Sequence, residues 1–121
     1  MAPHRLTATP TRIPVPGNKL IEEYFGRVHT TEERFSLAHM VAPSGWTEPR
    51  QTPEFGEITI MIRGHLRVEV DSAIHDLAAG QAIWIEPRTT VRYGNPFDEE
   101  AEYWAICLPA FSPDAVHRDD T

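Results

Sequence analysis

Hydrophobic and polar residues alternate over short runs along most of this chain, and glycine, proline, aspartate or serine residues separate the runs. Alternation with a period of two predicts β-strands that bury one face. The predicted strands cover residues 20–28, 35–41, 55–62, 65–70, 73–77, 81–85, 91–93 and 102–108. Eight short strands with little helix predict an all-β protein, folded as a double-sheet jelly roll.

The positions of the prolines divide the chain. Residues 1–17 contain four prolines, which predict an extended N-terminal arm rather than a helix. Residues 18–111 are the single domain that a chain of 121 residues can support. Residues 112–121 are expected to be a flexible acidic tail.

Composition and charge narrow the possible partners and location. The formal net charge of −7 argues against a nucleic acid or an anionic membrane as partner, because no basic stripe is available to neutralise phosphates. No apolar run approaches the roughly 20 residues that span a bilayer. The one cysteine, Cys107, cannot form an internal disulfide, so a reducing cytoplasm is the expected location.

The spacing of five residues outlines a known motif. Gly45, Glu57, Gly64, Gly80 and Asn95 stand where the two sequence motifs of the cupin superfamily have the same residues. Over residues 45–108 the chain therefore resembles a small, single-domain, RmlC-like cupin. This resemblance implies a double-stranded β-helix, the jelly-roll barrel, with a small-molecule ligand in its lumen.

The metal-ligand positions of that motif do not match. The resemblance puts the first two histidine ligands of a usual cupin at Gln51 and Pro53, or at Arg50 and Thr52 with the longer motif spacing, and the third at Val91. Because valine offers no lone pair and a glutamine amide oxygen is a weak ligand, we expect no cofactor. The alternative is a divalent metal held by His39, Gln51 and Glu57.

Within the superfamily the chain is similar to the cupin of ethanolamine utilisation, which also lacks the histidine pair. The matching segments are Trp46-Thr47, Gly56-Glu57-Ile58, Ile62-Arg63-Gly64 and Leu108-Pro109-Ala110-Phe111. An activity on acetate or acyl phosphate would follow only by analogy, because the chain has no phosphate-binding glycine loop.

The motif also predicts which face of the strand over residues 55–62 lines the barrel. If Glu57 points into the lumen, Thr59 and Met61 share that face and the three isoleucines of the strand face outward. Outward isoleucines need a cover, and a homodimer through sheet packing is expected to provide it. The alternative puts the isoleucines in the core and leaves Glu57 solvated.

Carboxylates near this strand supply candidate chemistry. Two or more carboxyl groups that converge in an apolar barrel cannot all ionise cheaply, so at least one pKa rises toward neutrality and suits acid–base catalysis. A tyrosine hydroxyl could then hydrogen-bond a developing enolate or alkoxide. The predicted catalytic residues are Glu57, Gln51, Glu48 and Tyr93, and the predicted substrate-binding residues are Trp46, Glu54, Thr59, Met61 and Tyr103. For Glu48 and Glu54, exposed ion pairs with Arg50 are the alternative.

Three functions remain open at this point. The first is a metal-independent or weakly metal-dependent enzyme that acts on a small polar metabolite by acid–base chemistry, as an isomerase, cyclase, dehydratase or lyase. The second is a ligand-binding or sensing module without catalysis. The third is a divalent-metal enzyme with unusual ligands. The sequence leaves undecided whether the protein is an enzyme.

Overall fold

The structure, a computed structural model, describes residues 3–119. Its strands are β1 (Thr11–Arg12), β2 (Leu20–Phe25), β3 (Ser36–Ala42), β4 (Gly56–Arg63), β5 (His65–Val70), β6 (Ala73–Ala78), β7 (Ala82–Ile85), β8 (Val91–Gly94) and β9 (Ala101–Leu108). A short 3₁₀ turn, Pro113–Ala115, follows them. The predicted all-β class and all eight predicted strands are confirmed, and β1 is an addition. No helix among the described residues has the length and apolar character to cross a membrane.

Two antiparallel sheets make up the jelly roll. The larger has the strand order β1-β2-β3-β9-β4-β7, and the smaller has the order β6-β5-β8. Strand β9 lies between β3 and β4, which precede it by a long stretch of chain, so the connections cross over as they do in jelly rolls. Met61 and Tyr103 of the larger sheet share one core with Leu66 and Val68 of the smaller sheet.

Side-chain size decides where the barrel is filled and where it is hollow. Met61, Leu66 and Val68 are almost fully buried and fill one part of the interior. On the inward faces of β3 and β9 stand the small side chains of Ala38 and Ala105, which line an open space instead. Since protein interiors are normally close-packed, small residues at these positions preserve a cavity.

Strand β4 presents the faces that the motif predicts. Thr59 and Met61 are 1% and 2% exposed, whereas Ile60 and Ile62 are 38% and 42% exposed. Glu57 has the same direction as Thr59 and lies on the cavity wall. The opposite assignment of faces is therefore wrong.

The N-terminal arm lies against the barrel over the part that the structure describes, residues 3–17. Strand β1 pairs antiparallel with β2. The backbone N–H of Ile13 donates to the carbonyl oxygen of Ile21 at 2.9 Å. Residues 13–17 consequently contribute to the cavity wall.

The C-terminal segment over residues 112–119 packs against the barrel, and the flexibility expected for it stays a prediction. Val116 is 2% exposed and packs with Phe55. The backbone of Arg118 forms a β-bridge with Gln51, which places the arginine side chain at the cavity. The first two and last two residues of the chain, which belong to the predicted arm and tail, lie outside the described residues.

Two of the motif residues hold the backbone together. Gly64 has φ +77°, and a Cβ atom at this position would lie 2.2 Å from the carbonyl oxygen of Glu100. Asn95 is fully buried, and its Nδ2 donates to the carbonyl oxygens of Ala42 at 3.1 Å and Glu99 at 2.8 Å. The match of these two residues to the motif therefore indicates the fold of the chain and not the reaction at its site.

We predict that Gly64→Ala lowers the free energy of unfolding by about 2–4 kcal/mol, because the added Cβ meets backbone that cannot move away cheaply. Gly80→Ala is the matched control, since Gly80 has φ +86° but open space around its Cβ position. It should cost only about 1 kcal/mol of backbone strain. Urea unfolding of both variants gives the comparison. Equal losses would contradict the close approach of the two backbone segments.

Candidate functional site

The hollow part of the barrel is a cavity of about 620 Å³. This volume lies within the range of roughly 300–1,000 Å³ that is usual for small-molecule sites. Most of the wall is apolar, with contributions from the N-terminal arm, β2, β3, β9 and the segment 46–55. Charged and polar side chains on the wall include Lys19, Glu48, Gln51, Glu57, Tyr93 and Arg118.

Glu57 lies on β4, between β9 and the edge strand β7 of the larger sheet. It lies opposite Ile85 of β7 and Cys107 of β9, so both neighbouring strands fix its backbone. Burial is the main cause that raises the pKa of Glu57 to about 7, and the charge of Glu48 adds to it. Lys19 acts in the opposite direction. A carboxyl group with this pKa exchanges its proton near neutral pH.

Glu48 and Gln51 reach the cavity from a loop that pairs with β8. The N–H of Gln51 donates to the carbonyl oxygen of Val91 at 2.9 Å, and the reverse hydrogen bond measures 2.8 Å. Arg118 Nη2 lies 3.9 Å from Glu48 Oε2, and Arg118 Nε donates to Gln51 Oε1 at 3.4 Å. Burial raises the pKa of Glu48, while Lys19 and Arg118 oppose that rise.

Lys19, like Arg118, lines the cavity although the sequence does not predict it. Gly17 and Asn18 turn the chain with φ of +83° and +59°, and Lys19 follows them at the start of β2 with only 9% of its surface exposed. Its Nζ lies 4.1 Å from the ring centroid of Trp46 and 5.3 Å from that of Tyr103. Burial lowers the pKa of Lys19, although Glu48 and Glu57 oppose this.

A signal for Lys19 was present in the composition. The chain contains ten arginines and a single lysine. The lone lysine directly follows a glycine-asparagine turn and precedes a strand. Lysine and arginine differ in size, hydration and ease of deprotonation, so a single lysine among ten arginines indicates a position that requires lysine.

Two buried tyrosines of the site, Tyr93 and Tyr103, can donate hydrogen bonds through their hydroxyl groups. Burial raises the pKa of Tyr93 and of Tyr103 well above the usual range, so both hydroxyls are protonated at neutral pH. The Tyr93 hydroxyl is close enough to Glu57 to lower the pKa of that carboxyl group. It makes no hydrogen bond of ordinary geometry to any residue within 3–119. A ligand could therefore accept one from it.

The structure brings six of the nine predicted site residues to the cavity wall, namely Glu57, Gln51, Glu48, Tyr93, Trp46 and Tyr103. Their chemical roles stay predictions. The other three are not among the residues that line the cavity, and their contact with a substrate stays a prediction. Thr59 and Met61 point inward but are buried in the filled part of the barrel. Glu54 is exposed and hydrogen-bonds His117, because its loop position turns the side chain to solvent.

His39 faces away from the cavity. Its neighbours along β3 line the interior, so alternation places His39 on the outer face. There Nδ1 lies 3.0 Å from Glu22 Oε1, and Nε2 lies 2.7 Å from Glu102 Oε2. The proposed metal set of His39, Gln51 and Glu57 is therefore wrong, since its members stand on opposite faces of the sheet.

The side chains at the cavity do not fit the divalent metal that cupins often bind. Within residues 3–119 no group of three or more histidine, cysteine, aspartate or glutamate side chains is placed to hold an ion. Val91 is a core residue without a donor atom. The Lys19 ammonium adds a positive charge near the carboxylates, and this charge competes with a cation for them.

One curated relative matches most of the chain. The chain is 36% identical over 107 residues to endoribonuclease YbeY of Myxococcus xanthus (strain DK1622), which covers 88% of this chain and 36% of that protein. The chain therefore spans about a third of the length of this relative.

Solved structures with the same architecture share little sequence with this chain. The polyketide cyclase RemF from Streptomyces resistomycificus has a TM-score of 0.76 at 12% identity, covering 100% of this chain and 87% of that one. The EutQ protein of Clostridium difficile has a TM-score of 0.63 at 19% identity, covering 86% of this chain and 68% of that one. These likenesses show the fold alone and agree with the resemblance in the motifs.

The strand order, the motif glycines and the buried asparagine all indicate a cupin, and a comparison of the sequence with protein families gives the same result. Residues 38–108, which make up more than half of the chain, match the family described as "Cupin domain". The chain belongs to the cupin domain family.

Proposed function

We propose that the cavity binds a small, oxygenated metabolite and that Glu57 transfers a proton to and from it without a metal. The observation that carries this proposal is a carboxyl group with a pKa of about 7 on the wall of a ligand-sized, mostly apolar cavity. At neutral pH such a group is present in both protonation states, so it can accept a proton and return it.

The tyrosines supply the second part of the chemistry. Removal of a proton next to a carbonyl group places negative charge on the carbonyl oxygen. A buried, protonated hydroxyl such as that of Tyr93 can donate a hydrogen bond to that oxygen, and this bond strengthens as the charge develops. The reactions that fit are isomerisation, cyclisation, dehydration and lyase chemistry.

Glu48 and Gln51 are assigned positioning roles. The charge of Glu48 helps to raise the pKa of Glu57. Gln51 is 5% exposed and accepts a hydrogen bond from Arg118, which keeps that arginine beside Glu48. Both residues thus act through their neighbours.

A ligand-binding module without catalysis is the second candidate. The same cavity favours it, because a mostly apolar cavity of this volume can bind a small metabolite without any reaction. The ribonuclease activity named for the Myxococcus relative is not proposed for this chain, because the chain has a net charge of −7 and no basic stripe that would neutralise phosphates.

Glu57→Gln is predicted to abolish turnover, because the amide cannot accept the proton. The measurement is incubation of untagged protein with a small-metabolite extract, followed by mass spectrometry of the mixture. The wild type should deplete one compound and form a product that has the same mass or differs by water or carbon dioxide. We expect a loss of at least about 100-fold in rate, in the range of general acid–base contributions.

Glu99→Gln is the matched control, since Glu99 is exposed and does not line the cavity. It should keep the wild-type rate. Wild-type protein that binds a metabolite and releases it unchanged would establish the non-catalytic alternative. A Glu57→Gln variant that retains turnover would contradict the role of Glu57.

The raised pKa of Glu57 also predicts a pH dependence of stability. A folded-state pKa above the unfolded value favours folding below the unfolded pKa of about 4.3, and this contribution is lost as the pH rises through 7. Relative to Glu57→Gln, the wild type should therefore lose stability between about pH 5 and pH 8, by at most about 3 kcal/mol. Urea unfolding across this range measures the difference. Parallel profiles for the two proteins would show that Glu57 has an ordinary pKa.

We further propose a homodimer through the outer face of β4 and β7. Ile60, Ile62 and Trp84 are 38%, 42% and 44% exposed on neighbouring strands of this face. Apolar side chains so placed are stabilised by a partner sheet. Ile60→Glu should convert the dimer to a monomer in light scattering, and a wild-type monomer at micromolar concentration would contradict the dimer.

A further inference from the structure

Lys19 combines burial with the lack of a direct polar partner. Its side chain lies on the cavity wall and is 9% exposed. Among residues 3–119 it makes no hydrogen bond and no ion pair within 4.0 Å, and the faces of Trp46 and Tyr103 are its near contacts. Burying an ammonium group is costly unless an anion or hydrogen-bond acceptors compensate. An anion in the cavity would therefore stabilise this side chain.

The charges of the cavity leave one positive charge without a direct partner. Arg118 lies beside Glu48, at 3.9 Å. Glu57 keeps its proton up to about pH 7. Glu23, also on the wall, accepts backbone N–H hydrogen bonds from the loop that follows β2, at 2.9 Å each. Glu48 interacts with both Lys19 and Arg118, so it compensates at most one of these two cations. Below pH 7 the ammonium of Lys19, which is 9% exposed whereas the Arg118 side chain is 47% exposed, is the cation that gains more from a ligand anion.

We propose that Lys19 binds the carboxylate of a monoanionic, otherwise apolar ligand in this cavity. The inference rests on the proposed function, because it names the substrate class of the same site. The carboxylate lies against Nζ of Lys19, and the apolar body of the ligand lies along the wall formed by the N-terminal arm, β2 and β9. No covalent step is involved.

Charge and shape favour a carboxylate over a phosphate. Glu48 lies close enough to Lys19 to influence its pKa, so a second negative charge on the ligand would be repelled by the Glu48 carboxylate and, above about pH 7, by that of Glu57 as well. A single negative charge matches the single cation. The apolar lining, which includes Phe55, Met40 and Phe111, suits a hydrocarbon or aromatic body and offers little to a sugar phosphate.

The test compares benzoate with benzamide, which has nearly the same shape but no charge. Isothermal titration at about pH 6 keeps Glu57 protonated. For the wild type we expect benzoate to bind at least about tenfold more tightly than benzamide and than inorganic phosphate. Lys19→Met should remove the preference for benzoate while leaving benzamide binding within a factor of about two.

Two controls keep the test decisive. Arg67→Met removes one positive charge outside the cavity, where Arg67 pairs with Asp76, and should keep the preference for benzoate. Replacing a buried ammonium with an apolar side chain of similar volume is compatible with folding. If Lys19→Met nevertheless fails to fold, the benzoate–benzamide ratio of the wild type decides alone.

Three results would each overturn the inference. The wild type binds benzoate and benzamide equally well, it does not bind benzoate at 10 mM, which corresponds to a binding free energy of roughly −3 kcal/mol, or Lys19→Met keeps the preference for benzoate. Turnover of a neutral metabolite through Glu57, without a benzoate preference, would overturn it and leave the proposed function standing. A Lys19-dependent carboxylate site in a protein without Glu57-dependent turnover would support it and overturn the proposed function.

Discussion

The interaction on which the site depends is the mutual charge compensation of four side chains in an otherwise apolar barrel. Lys19 directly precedes β2, Glu48 lies in the loop before β4, Glu57 lies in β4 and Arg118 lies in the C-terminal segment. Burying the charges of Lys19, Glu48 and Glu57 singly would be costly, whereas the Arg118 side chain is 47% exposed. Burial is the largest cause that raises the pKa of Glu57 to about 7; Glu48 adds to this rise, and Lys19 and Arg118 oppose it.

The barrel separates the residues that keep the fold from those that carry chemistry. Gly64 and Asn95 keep their motif positions because the backbone needs them. The histidine positions have no such constraint, and here they hold residues that build the wall or the core. The ammonium of Lys19 is close enough to Glu48 and Glu57 to lower the pKa of both carboxyl groups. A cation fixed in the protein can stabilise negative charge without a bound ion.

The sequence predicted the strands, the direction of Glu57 and six residues of the cavity wall, because alternation and motif spacing are local patterns. It did not predict the contribution of Arg118, since the contact of the C-terminal segment with Gln51 joins residues far apart in the chain. The sequence did not determine the direction of Glu54, because a loop side chain has no alternation to fix it. The sequence did not predict Lys19 as a site residue, although the composition shows that it is the single lysine of the chain.

The most direct test of this account is nitrogen NMR of untagged protein labelled with ¹⁵Nζ-lysine, which gives one side-chain signal because Lys19 is the sole lysine. The account predicts that this signal titrates below the usual lysine pKa. It also predicts that the signal shifts when Glu57 is changed to glutamine, since burial and the nearby carboxylates set its proton affinity. A signal with the ordinary pKa of an exposed lysine, unchanged in the Glu57 variant, would contradict the buried charge network.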